Sequence, residues 1–210
     1  MVKSWVITGV CLIGAGVLCC TAAIGAGALN QQRYREKLHL TDQTDAPSEN
    51  FTAIQVALED ADLTVQTGES VSVEAENISA DCYDVTVRDG VLRIEQRSSS
   101  LNQYTLIHLG EFSLPTAKIT LTLPEENYKS MDISASYGDC TVDGISAQTF
   151  SANLDCGDGT FQNISTENYT AKSSYGDLQL SDSEVKDSLS VEADSGSVTF
   201  ARIDIRNRCQ

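Results

Sequence analysis

The sequence predicts an all-β fold, a parallel β-solenoid with rungs of about 19–20 residues, preceded by one N-terminal transmembrane helix. Two observations carry this prediction. The C-terminal part of the chain repeats with regularly spaced glycines, and a long segment near the N-terminus contains no charged side chain. The predicted organisation is a cytoplasmic tip at 1–4, a transmembrane anchor at 5–29, a linker at 30–50 and the β-solenoid repeat domain at 51–210.

The repeat begins at Met131 and can be written as four rungs. Its anchoring glycines are 19, 19 and 20 residues apart, at Gly138, Gly157, Gly176 and Gly196. Self-similarity at a fixed period of this length indicates a repeat architecture. Apolar or small residues alternate with polar ones, and this period of two is typical of strands with one buried face. A single rung cannot bury its own apolar face, so the rungs are expected to stack.

Aligning the rungs predicts which residues lie above one another. The predicted inner columns are Met131/Phe150/Tyr169/Leu189, Ile133/Ala152/Ala171/Val191, Cys140/Gly159/Leu178/Val198 and Val142/Phe161/Leu180/Phe200. Each rung is expected to close near Ile145, Ile164, Val185 or Ile203. The same register occurs much earlier in the chain, from Ile54, which predicts a further rung there.

The middle of the chain is less regular. Residues 71–73 and 118–123 alternate as strands do, and Asp89-Gly90 lies between two strand-like runs, which predicts a two-residue hairpin. Residues 96–116 are the least regular and are expected to cap the stack or extend from it.

The segment from Phe51 to Ile205 resembles the putative-adhesin β-strand-repeat family, a domain of unknown function widespread in Gram-positive bacteria. The resemblance rests on IQVALEDADLTV from Ile54, on KITLTLP before the repeats, and on the recurring glycine–aspartate turns. It implies a right-handed or similar parallel β-solenoid located outside the cell, and the family supplies no established catalytic residues. The last rung departs from the pattern, with Ser195-Gly196-Ser197 in place of the glycine–aspartate turn.

The uncharged segment Trp5–Leu29 is long enough to span a hydrocarbon core of about 30 Å at about 1.5 Å per residue. The alternative is a cleaved signal peptide, because Ala26-Gly27-Ala28 fits an A-x-A cleavage pattern. The run exceeds the usual apolar core of a signal peptide, which favours an anchor. Flanking charges weakly favour a cytoplasmic domain, but long domains translocate largely regardless of them. We therefore expect a single-pass protein of the cell membrane with an extracellular repeat domain.

The charge argues against one class of partner. The formal net charge is -16, and residues 1–40 contribute +3, which leaves -19 on the rest of the chain. Such a domain repels phosphate backbones, so no nucleic-acid partner is expected. Cationic partners, such as metal ions or basic polymers, remain open. The simpler interpretation is that the charge keeps a β-rich protein soluble.

The candidate site is the column of turn aspartates Asp139, Asp158 and Asp177. Neighbouring rungs lie about 4.8 Å apart, and Ca²⁺ prefers clustered carboxylate and carbonyl oxygens. A solvated turn ladder that binds no ion is the favoured alternative. No cofactor is predicted, and no C-x-x-C pair supports a zinc or iron–sulfur site.

These observations predict a non-enzymatic, membrane-anchored extracytoplasmic protein with an adhesin-like or envelope-interaction role. Its expected partners are the membrane, through residues 5–29, and a cell-wall ligand, surface ligand or envelope protein. The alternative is a structural or regulatory envelope component that acts through a membrane partner. Tyr137 and Tyr175 occupy equivalent places beside the turns, either as a sugar-stacking platform or, as favoured, as turn-packing side chains. The sequence leaves the oligomeric state open.

Overall fold

The computed structural model of the protein describes residues 16–21, 35–36, 39–98 and 116–206, and nearly all of its regular structure is β-strand. The strands are β1 (Leu40–Asp45), β2 (Ala53–Thr67), β3 (Ser72–Ser79), β4 (Tyr83–Arg88), β5 (Val91–Gln96), β6 (Ala117–Leu123), β7 (Asn127–Tyr137), β8 (Cys140–Asp143), β9 (Ser146–Cys156), β10 (Gly159–Gln162), β11 (Ser165–Tyr175), β12 (Leu178–Ser195) and β13 (Val198–Ile205). A 3₁₀-helix occupies Ala80–Cys82, and residues 16–21 and 35–36 are also helical. The all-β prediction is therefore confirmed.

The predicted tip at 1–4 lies outside the described residues, as does most of the predicted anchor at 5–29. Within the described parts of the chain, no helix combines the length and the apolar character that crossing a membrane requires. The anchor and the alternative of a signal peptide both stay predictions.

The C-terminal rungs stack in parallel, in the predicted register, to form a solenoid-like domain. Before the glycine turn, Met131 pairs with Phe150, Phe150 with Tyr169, and Tyr169 with Leu189. After the turn, Cys140 pairs with Gly159, Gly159 with Leu178, and Leu178 with Val198. Each rung therefore covers the inner column of the rung before it, as obligatory stacking requires.

The predicted additional rung is β2. Ile54 of β2 pairs with Met131 and Leu63 pairs with Cys140, which confirms the predicted register between these distant segments. Strand β2 has 15 residues, enough to span both sides of a rung. Its first half pairs with β7 and its second half pairs with β8.

One detail of the predicted rung closure is wrong. Val185 pairs with Thr166, whereas the position next to Ile164 belongs to Ser183. Ser183 is buried, and its hydroxyl accepts a hydrogen bond from the Ile164 amide at 3.1 Å and donates one to Ser181 at 2.8 Å. A serine fits this core position because its polar group is satisfied there.

The opposite end of the stack is antiparallel, which a purely parallel solenoid does not predict. Strand β3 lies between β1 and β6 in antiparallel pairing, and β4 forms an antiparallel hairpin with β5. Asp89 and Gly90 have φ angles of 54° and 75°, so both central residues of the hairpin turn are left-handed, as predicted. Strands β5 and β6 both pair in parallel with β2, β5 along its first half and β6 along its second. Together they take the place of the next rung on this side of β2.

Strand β1 forms inside the range predicted as a linker, 30–50, which corrects that part of the prediction. The segment is polar on both faces and has no clear period of two. Its pairing with β3 places it in the sheet, so tertiary contact decides its conformation rather than local pattern.

The core contains an aromatic cluster contributed by β9, β10 and β11. The rings of Phe150 and Tyr169 stack with centroids 4.9 Å apart, and Phe161 meets Phe150 edge to face at 5.5 Å. All three side chains are fully buried. Gly159 leaves room for them, because an added Cβ would lie 2.7 Å from a ring carbon of Phe161.

Candidate functional site: the glycine–aspartate turn face

The glycine–aspartate turns stack into one continuous surface, which we call the turn face. It consists of Tyr137, Asp139, Asp158, Tyr175 and Asp177, all of them exposed. The strands before and after each turn are paired to both neighbouring rungs, so the turn face is mounted on a rigid framework.

Glycine is required at these turns for two reasons. Gly157 has a φ of +141°, which disfavours any residue with a side chain, and a Cβ there would lie 2.1 Å from the carbonyl oxygen of Gly138. A Cβ at Gly176 would lie at the same distance from the carbonyl oxygen of Gly157. The turns therefore pack backbone against backbone, and the glycines form a column of close contacts.

The aspartates continue this stacking as a hydrogen-bond ladder. The amide of Asp158 donates to Oδ1 of Asp139 at 2.9 Å, and the amide of Asp177 donates to Oδ1 of Asp158 at 2.8 Å. The ladder extends at both ends, from the amide of Asp139 to Asp62 at 3.1 Å and from the amide of Ser197 to Asp177 at 2.8 Å. Each turn carboxylate thus fixes the backbone of the next rung.

The hydrogen-bond ladder explains why stacked carboxylates of like charge are tolerated in this column. Each carboxylate accepts a backbone N–H and also faces water, which screens its neighbours. The hydrogen bond from the Ser197 amide lowers the pKa of Asp177, so the ladder favours the charged form. The three predicted candidates Asp139, Asp158 and Asp177 are therefore brought together as expected.

Cation binding at this column stays a prediction. Among the described residues, no group of three or more His, Cys, Asp or Glu side chains is arranged to hold a metal ion. One oxygen of each ladder carboxylate is already committed to an amide, and the ladder explains the aspartates without an ion.

The two tyrosines of the turn face point into solvent. Tyr137 and Tyr175 are each 62% exposed, so they do not pack onto the turns as the favoured interpretation expected. Cys156 lies between them, paired with both, which puts the tyrosines two rungs or roughly 10 Å apart. The face therefore offers two aromatic surfaces among carboxylates, a combination suited to stacking and to hydrogen bonding.

A family model, that of the Toastrack DUF4097 domain, matches residues 51–207. The chain belongs to this family. The Toastrack domain thus comprises all of the stacked rungs and the hairpin end, while β1 precedes the matched range. The resemblance stated from the sequence is confirmed.

Several solved structures align with this chain at low sequence identity. A putative cell adhesion protein from Clostridium sporogenes aligns over 80% of this chain and 100% of its own, with a TM-score of 0.50 and 11% identity. A putative adhesin from Bacteroides fragilis aligns over 79% of this chain and 96% of its own, with a TM-score of 0.38 and 12% identity. A putative lipid binding protein from Parabacteroides distasonis aligns over 80% and 95%, with a TM-score of 0.27 and 10% identity. No curated protein matched the chain.

The Clostridium structure supports the fold and nothing finer at that identity. The names of these neighbours refer to adhesion or lipid binding and not to an enzyme. The Toastrack match itself assigns no catalytic residue to this chain.

The cysteines of the Toastrack domain are free wherever the structure describes them. Cys140 is fully buried in the core, and burial raises the pKa of its thiol to about 12. It is therefore protonated and inert at neutral pH. Cys156 is half-buried on the turn column, one rung from Cys140, and neither forms a disulfide.

Sequence reasoning missed a residue that organises the first rung of the Toastrack domain. Gln96 is buried at the end of β5. Its Oε1 accepts the amides of Glu59 and Asp60, both at 3.1 Å, and its Nε2 donates to Asp60 and to the Arg97 carbonyl. Its place two residues after Ile94, at the next inward position of the alternation, is the only signal in the sequence, and it is weak.

Proposed function

We propose that this protein is a membrane-anchored, extracytoplasmic binding module with an adhesin-like or envelope-interaction role, and that its turn face contacts the ligand. The observation that carries the proposal is the pair Tyr137 and Tyr175, exposed at equivalent positions on a rigid stack. Each ring presents apolar area and a hydroxyl at one defined spacing, as recognition of a sugar or an extended chain requires.

The rigidity of the face supports this role. A side chain on a paired strand loses little freedom when it binds, so binding costs less ordering entropy there than on a loop. Both tyrosines end strands that are paired on two sides, β7 and β11. The name of the Clostridium sporogenes neighbour, a putative cell adhesion protein, agrees with the proposal.

The proposed location rests on the predicted anchor at 5–29 and on the resemblance of the repeat domain to an envelope family. Protease treatment of intact cells that express the full chain tests it. Cleavage of the repeat domain without lysis is the expected result, and cleavage only after lysis would refute an extracellular location.

Retention of the full-length protein on purified cell wall tests the ligand class. The double variant Tyr137→Ser/Tyr175→Ser is expected to reduce retention at least tenfold, because truncation of aromatic anchors commonly costs over about 1–2 kcal/mol of binding energy. The matched control is Asn153→Ser, which changes an exposed side chain on the same stack away from the turn. Equal retention of the double variant and the control would reject the turn face as the binding surface.

The second candidate is a structural or regulatory envelope component that acts through a membrane partner. The observation in its favour is the set of small residues Gly14, Gly16, Ala22 and Ala26 in the predicted anchor, since small residues allow close helix packing in membranes. Crosslinking in membranes is then expected to recover one defined partner. A variant in which an unrelated anchor replaces residues 5–29 tests the same candidate. If cells with this variant behave like cells with the unaltered protein, the candidate fails.

A further inference from the structure

The last rung leaves its inner column uncovered. Phe200 of β13 is 50% exposed, whereas Leu180 and Phe161, its partners in the two preceding rungs, are both 0% exposed. Ile205 is 49% exposed, and Val185 beneath it is fully buried. In the part of the chain that the structure describes, this rung therefore presents a surface with the composition of the core.

The same end presents unpaired strand edges. In the described part of the chain, β13 pairs with β12 alone, and residues 189–195 of β12 pair with β11 alone. We call β13 together with 189–195 the open end. An edge with free backbone groups beside apolar side chains is a template for another strand.

The charges of the open end differ from those of the domain as a whole. Arg202 and Arg206 alternate with Asp204 along β13 and just beyond it, so both signs are present on a protein whose net charge is -16. Within the chain, Arg202 pairs with Asp182, and Arg206 lies 3.3 Å from Glu184 and 3.1 Å from Asp204. These pairs neutralise the acidic residues near this end, which reduces the repulsion that another acidic copy would meet.

We propose that the open end is an interface between two copies of this chain, related by a two-fold axis perpendicular to the stack. A two-fold interface uses the same patch on both partners, so it needs a patch that complements itself. The apolar inner column complements itself because it stacks on its own kind at all the preceding rungs, and the ion pairs of Arg202 and Arg206 lower the repulsion between two acidic copies. This proposal does not depend on the ligand of the turn face.

The test is the mass of the full-length protein in detergent micelles, measured by sedimentation or light scattering over a range of concentrations. A monomer–dimer equilibrium is expected. The variant Phe200→Ser/Ile205→Ser is expected to raise the dissociation constant roughly tenfold or more, as truncation of central apolar anchors does. Both side chains are already half-exposed, so the variant is expected to fold. The matched control, Tyr137→Ser, changes an equally exposed aromatic residue that lies two rungs further from the open end than Tyr175, and it is expected to leave the equilibrium unchanged.

Hydrogen exchange of the same samples locates the contact. The amides of 198–205 are expected to exchange more slowly as concentration rises in the unaltered protein, and not in the serine variant. A single-copy mass at every concentration would overturn the proposal. So would a dimer that the serine variant forms equally well, because the contact would then lie elsewhere, for example in the anchor. Assembly beyond two copies would overturn the two-fold geometry.

Discussion

The glycine column makes a sharp energetic prediction at Gly157. Replacing it with alanine puts a Cβ 2.1 Å from the carbonyl oxygen of Gly138 and 2.7 Å from the carbonyl carbon. Both atoms are backbone, and the strands around them are paired to the rungs on either side, so neither can rotate away. The residue would also be forced to adopt a φ of +141°, which costs about 1–3 kcal/mol for a residue with a side chain.

Relief of the clash requires neighbouring rungs to separate by about 1 Å, and overpacking of this kind costs about 1–3 kcal/mol more. We therefore expect Gly157→Ala to lower the free energy of unfolding by about 4 kcal/mol, measured by denaturant titration of the full chain followed by circular dichroism. The matched control is Gly90→Ala in the hairpin turn. Its φ is +75° and no atom lies within 4 Å of the added Cβ, so only the conformational cost of about 1 kcal/mol is expected. Equal losses for the two variants would show that the turns do not pack as closely as described.

Three further predictions test the core, the ladder and the pH dependence. Phe161→Ala is expected to lower the free energy of unfolding by about 3–5 kcal/mol because the ring is fully buried, whereas Phe200→Ala in dilute monomer is expected to cost under about 1 kcal/mol. Asp158→Ala removes the acceptor of the Asp177 amide and is expected to lower the thermal midpoint, while Asp158→Asn keeps an acceptor and is expected to lower it less. The pKa of the Cys140 thiol is raised from 9.0 to about 12 by burial, so its contribution to stability is complete below pH 9 and decreases as pH rises towards 12. Stability of the Cys140→Ala variant is therefore expected to fall less steeply between pH 9 and 11, by up to about 1.4 kcal/mol per pH unit.

The stacked rungs could be predicted from the sequence because two independent periods agree there. Alternation fixes which side chains point inwards, and the spacing of 19 or 20 residues fixes which rung covers which. A slip of one residue would turn Phe150 and Phe161 outwards, so only one register buries them. The aligned columns therefore follow from burial alone, even across the long stretch of chain that separates Ile54 from Met131.

The remaining elements depend on contacts that a local pattern does not contain. Strand β1 is polar and is ordered by its pairing with β3. Ser183 and Gln96 are polar residues at buried positions, which an alignment of apolar residues excludes, and each is accommodated because its side chain satisfies backbone amides. Each rung closes near the predicted residues, such as Ile164, but the positive φ of Asn163 and Asp182 at this second turn was not predicted, although these residue types adopt it more readily than others.

The turn aspartates Asp139, Asp158 and Asp177 form the predicted column, and their structural role comes from the hydrogen bonds that they accept from the backbone. Two unit charges about 4.8 Å apart in water repel by roughly 0.9 kcal/mol, while hydrogen bonds to charged groups contribute about 1.5–3 kcal/mol. A column in which each carboxylate accepts an amide from the next rung can therefore be stable without a bound cation, as at Asp139 and Asp158. Adding millimolar Ca²⁺ is then expected to leave the thermal midpoint unchanged beyond the effect of ionic strength, which NaCl controls. A specific rise that the triple variant Asp139→Asn/Asp158→Asn/Asp177→Asn abolishes would instead establish the cation site, because asparagine keeps the acceptors and removes the charge.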